Sequence, residues 1–377
     1  MNGATGMVVA LQKLILVLAS AFVWAAYVFA PSAAQGSEKV TIQTVGEPAD
    51  EIAEQDVVND AVKSAVGRND FGALSQMADH FRSNRTRTVS GVWKLSIFHS
   101  RVLAELGPRE GRCEDRSAGF FRDWMASTPK APAPYVARAA VLEAQAWCIR
   151  GGGYARSVSA PNLASFAAKV VEAQTILSEH QAVASVDPHY YAVMARIYID
   201  RAVENAKFKQ LLDEATAREP NYHYLYYEAY RYFQPQWYGS TAEIEELARY
   251  AAARTTGNDR PGIYARYYWF MLDCKCGDID RSLDWPTMKQ SMQDVMARYP
   301  SAWNAANFAR ISCVMEDPQE TQKWFARVKG DYTVAWRDLN ELQRCQATAP
   351  LERSPDRCPF AAREAWSAAD VDRYCRG

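Results

Sequence analysis

Excess charge of either sign is missing from this chain: its 377 residues carry 43 basic and 44 acidic side chains, a formal net charge of -1. That balance excludes bulk attraction for nucleic acid or for an anionic membrane surface. Histidine is scarce. The five present (His80, His99, His180, His189 and His223) fall in no His-Glu-x-x-His or other metal spacing, so neither a metal nor another cofactor is expected. There is no Gly-x-Ser-x-Gly elbow, no Ser-x-x-Lys with its companion motifs, and no Cys-x-x-Cys-His for covalent haem. No catalytic residue is therefore nominated. Gly151-Gly152-Gly153 lacks the lysine of a phosphate cradle and reads as a loop. Cys274-Lys275-Cys276 is spaced too tightly for a zinc pair and reads as disulfide-bonded or buried thiols. Alternating β-branched runs are confined to Val40–Val45, which excludes a fold built on sheets.

What is present starts with the N-terminus. Lys13 precedes an apolar run from Leu14 to Ala30, and small residues follow at Pro31, Ser32, Ala33 and Ala34. Positive charge, apolar stretch and small-residue site, in that order, read as a secretory leader cut after Ala34. The run is also long enough to serve as an uncleaved membrane anchor. Residues 1–34 are thus leader or anchor, residues 35–50 a linker, and the body an exported domain, periplasmic or extracellular. All eight cysteines lie beyond the leader, and an even number in an oxidising compartment reads as disulfides. Cys113 with Cys148, near neighbouring helix ends, and Cys358 with Cys375, closing the C-terminal tail of residues 346–377, are the expected staples.

From Ile52 onward the apolar residues follow a helical period. Phe208, Leu211, Leu212 and Ala215 fall at i, i+3, i+4 and i+7, as do Ile244, Leu247, Ala248 and Ala251. Asp187-Pro188, Asp284-Trp285-Pro286 and Asp317-Pro318 each set a capping acid ahead of a proline suited to a first helical turn. Gly107, Gly151, Gly257 and Gly330 read as stops or loops. The expected fold is all-α over residues 51–345: short antiparallel helical hairpins stacked as an irregular, tetratricopeptide-like α-solenoid.

Internal echoes support stacking. Trp124 to Pro129, Ala215 to Pro220 and Val295 to Pro300 repeat one spacing, and an aromatic follows each proline at Tyr135, Tyr222 and Trp303. Pro188 to Pro220 spans 32 positions, close to the roughly 34-residue tetratricopeptide period. Further segments include Asp70-Phe71-Gly72-Ala73-Leu74, Gly91-Val92-Trp93-Lys94-Leu95 and Asp187-Pro188-His189-Tyr190-Tyr191. Phe208 with Leu211-Leu212-Asp213-Glu214-Ala215, Pro235-Gln236-Trp237-Tyr238-Gly239-Ser240, Gly262-Ile263-Tyr264-Ala265-Arg266 and Asp284-Trp285 complete the set. With these segments the chain resembles, from about Asp56 to Trp336, an uncharacterised bacterial domain family related in fold to tetratricopeptide proteins. The resemblance implies helical repeats and, the family having no established activity, no chemistry.

Aromatic residues crowd two segments, around Tyr226, Tyr230, Trp237 and Tyr238 and around Tyr264 and Tyr268. Large rings with polar tips suit a groove that grips a peptide or sugar; the same rings also serve to interlock adjacent hairpins. Arg82, Arg85 and Arg87 offer a second, cationic surface for an acidic partner, or a simply exposed loop. The function expected is an exported scaffold holding an unidentified protein or peptide partner, with no nucleic acid and with membrane contact only through an uncleaved N-terminal segment. A secreted enzyme acting on envelope polysaccharide, with carboxylates such as Glu228 or Asp259 near Trp237, is the alternative, and a purely structural envelope component a third.

Overall fold

The computed structural model describes residues 51–348 except 110, 154, 274–282, 329–334 and 337–338. The leader or anchor, the linker, Gly330, the Cys274-Lys275-Cys276 segment and the Cys358–Cys375 staple lie outside the described residues. Among the described residues the chain is all-helical, with only isolated bridges at Arg87–Trp93 and Arg109–Arg112. No helix among them is long and apolar enough to cross a membrane.

The contacts group residues 51–345, read above as one domain, into two units, Met1–Asp278 and Ile279–Gly377. In the first lie α1 (Glu51–Gly67), α2 (Phe71–Ser83), α3 (Lys94–Leu106), α4 (Ala118–Ser127), α5 (Ala133–Arg150) and α6 (Ala160–Glu179). There follow α7 (Gln181–Ala184), α8 (His189–Asp200), α9 (Asn205–Arg218), α10 (His223–Tyr232), α11 (Thr241–Arg254) and α12 (Ile263–Asp273). The second unit holds α13 (Trp285–Arg298), α14 (Ala302–Val314), α15 (Pro318–Phe325) and α16 (Leu339–Thr348).

Local chemistry sets the boundaries. Asp284 and Asp317 accept hydrogen bonds from the backbone N–H groups of Thr287 and Glu320, three residues on, and so cap α13 and α15. Asp187 accepts from the N–H of His189 at the start of α8. The three proline-marked helix ends share one geometry. Thr128, Glu219 and Tyr299 take φ/ψ of -133/63°, -143/81° and -130/73° after α4, α9 and α13. Each returns its N–H to a carbonyl four residues back, on Trp124, Ala215 and Val295. The residue before a proline is pushed out of the helical region, so the same sequence echo yields the same stop. Twice the next helix latches onto it: the Tyr135 hydroxyl donates to the Pro129 carbonyl and the Tyr226 hydroxyl to that of Pro220, at 3.0 and 2.9 Å.

Burial sorts the helices of the first unit into two kinds. On α6, α9 and α11 a single stripe is buried: Val170, Ala173 and Leu177; Phe208, Leu211, Leu212 and Ala215; Ile244, Leu247, Ala248 and Ala251. Those stripes are the periodic positions of the sequence. By contrast α5 is buried without a break from Ala133 to Ala146, α8 from His189 to Ile197 and α12 from Ile263 to Trp269. A helix packed on every side has no polar face, which is why these segments are almost continuously apolar and aromatic. The α5 helix packs on α6 and α8, α8 on α9 and α10, and α10 on α11 and α12. A disulfide joins Cys113, in the loop before α4, to Cys148 in the last turn of α5; in the second unit another joins Cys313 to Cys345.

Candidate functional site

Three of the inner helices send charged side chains to one point. From α5 come Glu143 and Trp147, one turn apart; from α8, Arg196, Ile199 and Asp200; from α10, Glu228 and Arg231. Trp237, in the turn after α10, closes over them, its ring edge-to-face with Trp147 at 6.4 Å. The Arg196 guanidinium lies between two carboxylates, Nε 3.2 Å from Glu143 Oε2 and Nη1 3.7 Å from Glu228 Oε1. Arg231 Nε sits 3.5 Å from Glu228 Oε2. The Trp147 indole N–H forks onto both Asp200 oxygens, at 3.1 and 3.3 Å. A small cleft lined by Glu143, Trp147, Arg196, Ile199, Asp200, Arg231 and Trp237 lies at this junction. It has room for about one water molecule.

The charges do not balance: three carboxylates face two guanidiniums. Burial, and then the charge of Glu143, hold the Asp200 carboxyl well above the usual carboxylate range, so it keeps its proton where exposed acids have lost theirs. Burial also raises Glu143. For Arg196 burial pulls the other way, but Glu143 and Glu228 outweigh it and the guanidinium is held charged.

A second polar chain ties α3 to α8 and α10. His99 Nε2 shares a 2.8 Å hydrogen bond with Asp187, the His99 and His189 rings stack at 4.2 Å, and His189 Nδ1 shares a 2.8 Å bond with the Tyr222 hydroxyl. All four side chains are buried. Burial pushes His189 well below its ordinary value, and His223 likewise, helped there by the charges of Arg87 and Arg266. The sign follows. Groups neutral in the fold but protonated in the unfolded chain withdraw stability as pH falls below about 6.5, by as much as ~1.4 kcal/mol per pH unit for each. Asp200 and Glu143, raised, act in the opposite sense, adding stability that is lost as pH rises through their folded values. The His223→Phe variant, which cannot titrate, is expected to lose at least about 1 kcal/mol less than wild type between pH 7.5 and pH 5. Urea midpoints at the two pH values measure it, and parallel losses in both proteins would contradict the assignment.

Compared with protein-family models, with characterised proteins and with solved structures, the chain matches none.

The structure splits the six expected groove residues. Tyr226, Tyr230, Tyr264 and Tyr268 are each at most 2% exposed, because α10 and α12 are covered by neighbouring helices. The hydroxyls of Tyr264 and Tyr268 both donate to Glu245. Trp237 is half-buried over the charge cluster; Tyr238 is 38% exposed, its hydroxyl donating to the Ile199 carbonyl. The six therefore do not line one open face. The arginine loop is engaged internally too: Arg82 pairs with Asp79, Arg85 with Glu219 and Arg87 with Asp259, and Arg87 also lies over the Trp93 ring. That pairing removes Asp259 as a partner for Trp237. Sequence reading passed over Glu143, Arg196, Asp200 and Arg231. Their signal was present, as single charges inside otherwise apolar runs such as Ala192-Val193-Met194-Ala195-Arg196-Ile197.

Proposed function

We propose that this chain is an exported, tetratricopeptide-like helical-repeat scaffold that holds a protein or peptide partner. The repeated proline-marked stop and the alternation of enclosed and half-buried helices support the repeat reading. Export is supported by the leader-like N-terminus together with the two disulfides, bonds that persist in oxidising compartments.

One observation carries the binding reading. The first half of α6 packs on Trp147 through Phe166 and shows an uncharged apolar face on another side: Ala160, Leu163, Ala164, Ala167, Ala168 and Val171 are all exposed. An amphipathic helix normally turns charge outward, and a contiguous uncovered apolar face marks an interaction site. Small side chains let a partner's backbone approach closely, so an apolar helix or strand of another protein fits it best. The cleft under Trp147 and Trp237 does not favour the enzyme alternative, since a site the size of a water cannot seat a sugar ring.

The test uses the full chain in its native envelope with a photo-crosslinker at position 163 or 171, and at Lys209 as an exposed control on α9. A discrete adduct is expected at 163 and 171 and not at 209, and it is expected to vanish in Leu163→Glu/Val171→Glu. Melting of that double variant should stay within about 0.5 kcal/mol of wild type, as for exposed positions. Adducts alike at all three positions, or unchanged by the two glutamates, overturn the proposal; an adduct between two copies of the chain replaces a foreign partner with self-association.

A further inference from the structure

We infer that the cleft between Trp147 and Trp237 is a binding site for one long-lived water molecule, which completes the buried charge cluster and anchors the turn after α10. Four donors on the lining side chains make no hydrogen bond: Arg196 Nε and Nη2, Arg231 Nε and the Trp237 indole Nε1. Two of them, Arg196 Nε and Arg231 Nε, lie at ion-pair distance from Glu143 and Glu228, which leaves Arg196 Nη2, on a side chain 7% exposed, and Trp237 Nε1. A buried donor left without a partner forfeits its hydration with nothing in return, so an acceptor at this point is strongly favoured. The other lining groups decide what the acceptor is. The Glu143 carboxylate repels an anion, while two guanidiniums and an indole N–H repel a cation. The occupant must be neutral, must accept from two N–H groups, and must donate to a carboxyl. It must also fit a space of about one water. Water meets all four conditions, with the two to four polar partners that buried waters have. Its consequence is structural and local: it bonds Trp237, in the turn linking α10 to α11, to Arg196 on α8. A hydrogen bond from the Tyr238 hydroxyl to the Ile199 carbonyl also ties that turn to α8.

The experiment is a nuclear Overhauser measurement between water and the indole N–H protons of the full chain, labelled with 15N at tryptophan and assigned with Trp237→Phe. Trp237 should show a cross-peak with the sign of a water resident longer than about a nanosecond. Trp124, fully buried and donating to Ser75 Oγ at 2.9 Å, is the internal control and should show none. In Ile199→Phe, whose larger ring fills the cleft, the Trp237 cross-peak should disappear. An observable, exchange-protected Trp237 N–H without the cross-peak in the wild-type chain overturns the inference whether or not the filled variant folds. A cross-peak of equal size on Trp124, or one surviving in a folded Ile199→Phe protein, overturns it too.

Discussion

Replacing Arg196 with methionine is expected to destabilise the first unit by about 3–5 kcal/mol at neutral pH, the range for removing one partner from a buried ion pair. Methionine keeps most of the arginine's apolar bulk, so lost volume is a minor part. The main part is electrostatic: Glu143 and Glu228, each 2% exposed, lose the guanidinium between them, and a single water in the cleft cannot supply its charge. The loss should shrink as pH falls, because Glu143 is already raised by burial and takes up a proton readily. The combined variant Glu143→Gln/Arg196→Met/Glu228→Gln should recover much of it, since whole buried ion networks are often replaceable by neutral groups at little net cost. Urea unfolding at pH 7.5 and pH 5 measures all three. An Arg196→Met protein within about 1 kcal/mol of wild type at pH 7.5 would show that the cluster is solvated, contrary to its burial.

Removing the Cys113–Cys148 bridge should have a comparable effect. The two cysteines are 35 residues apart, and freeing a loop of that length from its cross-link returns about 4 kcal/mol of chain entropy to the unfolded state. In a unit of this size that lowers the melting temperature by roughly 8–15 °C. The local consequence is at the end of α5. Cys148 is adjacent to Trp147, which bonds Asp200, and two residues before Arg150, whose guanidinium lies 5.0 Å from the Trp147 ring. Calorimetry of Cys113→Ser/Cys148→Ser, and of the wild type with and without reductant, checks this. An unchanged melting temperature in both would mean that the bridge is not formed in the folded protein.

How far the sequence could be read follows from the range of the forces involved. Helix starts at Asp284 and Asp317 were legible because a cap is satisfied within three residues, whatever the rest of the chain does. The stops before Pro129, Pro220 and Pro300 were legible for the same reason. So were the half-buried stripes of α9 and α11, whose period records one wet and one dry side. The inner helices gave no such period. Their tyrosines could equally have lined a groove or filled a core, and the choice fell to the helices that pack over them.

The chain by itself determined where its helices begin and end, which outer faces turn inward, and that no familiar catalytic or metal-binding motif is present. Only the tertiary structure decided that Trp147 and Asp200, 53 positions apart, meet beside Arg196, and that Tyr226 and Tyr264 are enclosed while one apolar face of α6 stays exposed. Capping and periodicity act over one or two helical turns and so are written in order along the chain. Desolvation and ion pairing depend on what lies across the core, and that is set when the helices pack.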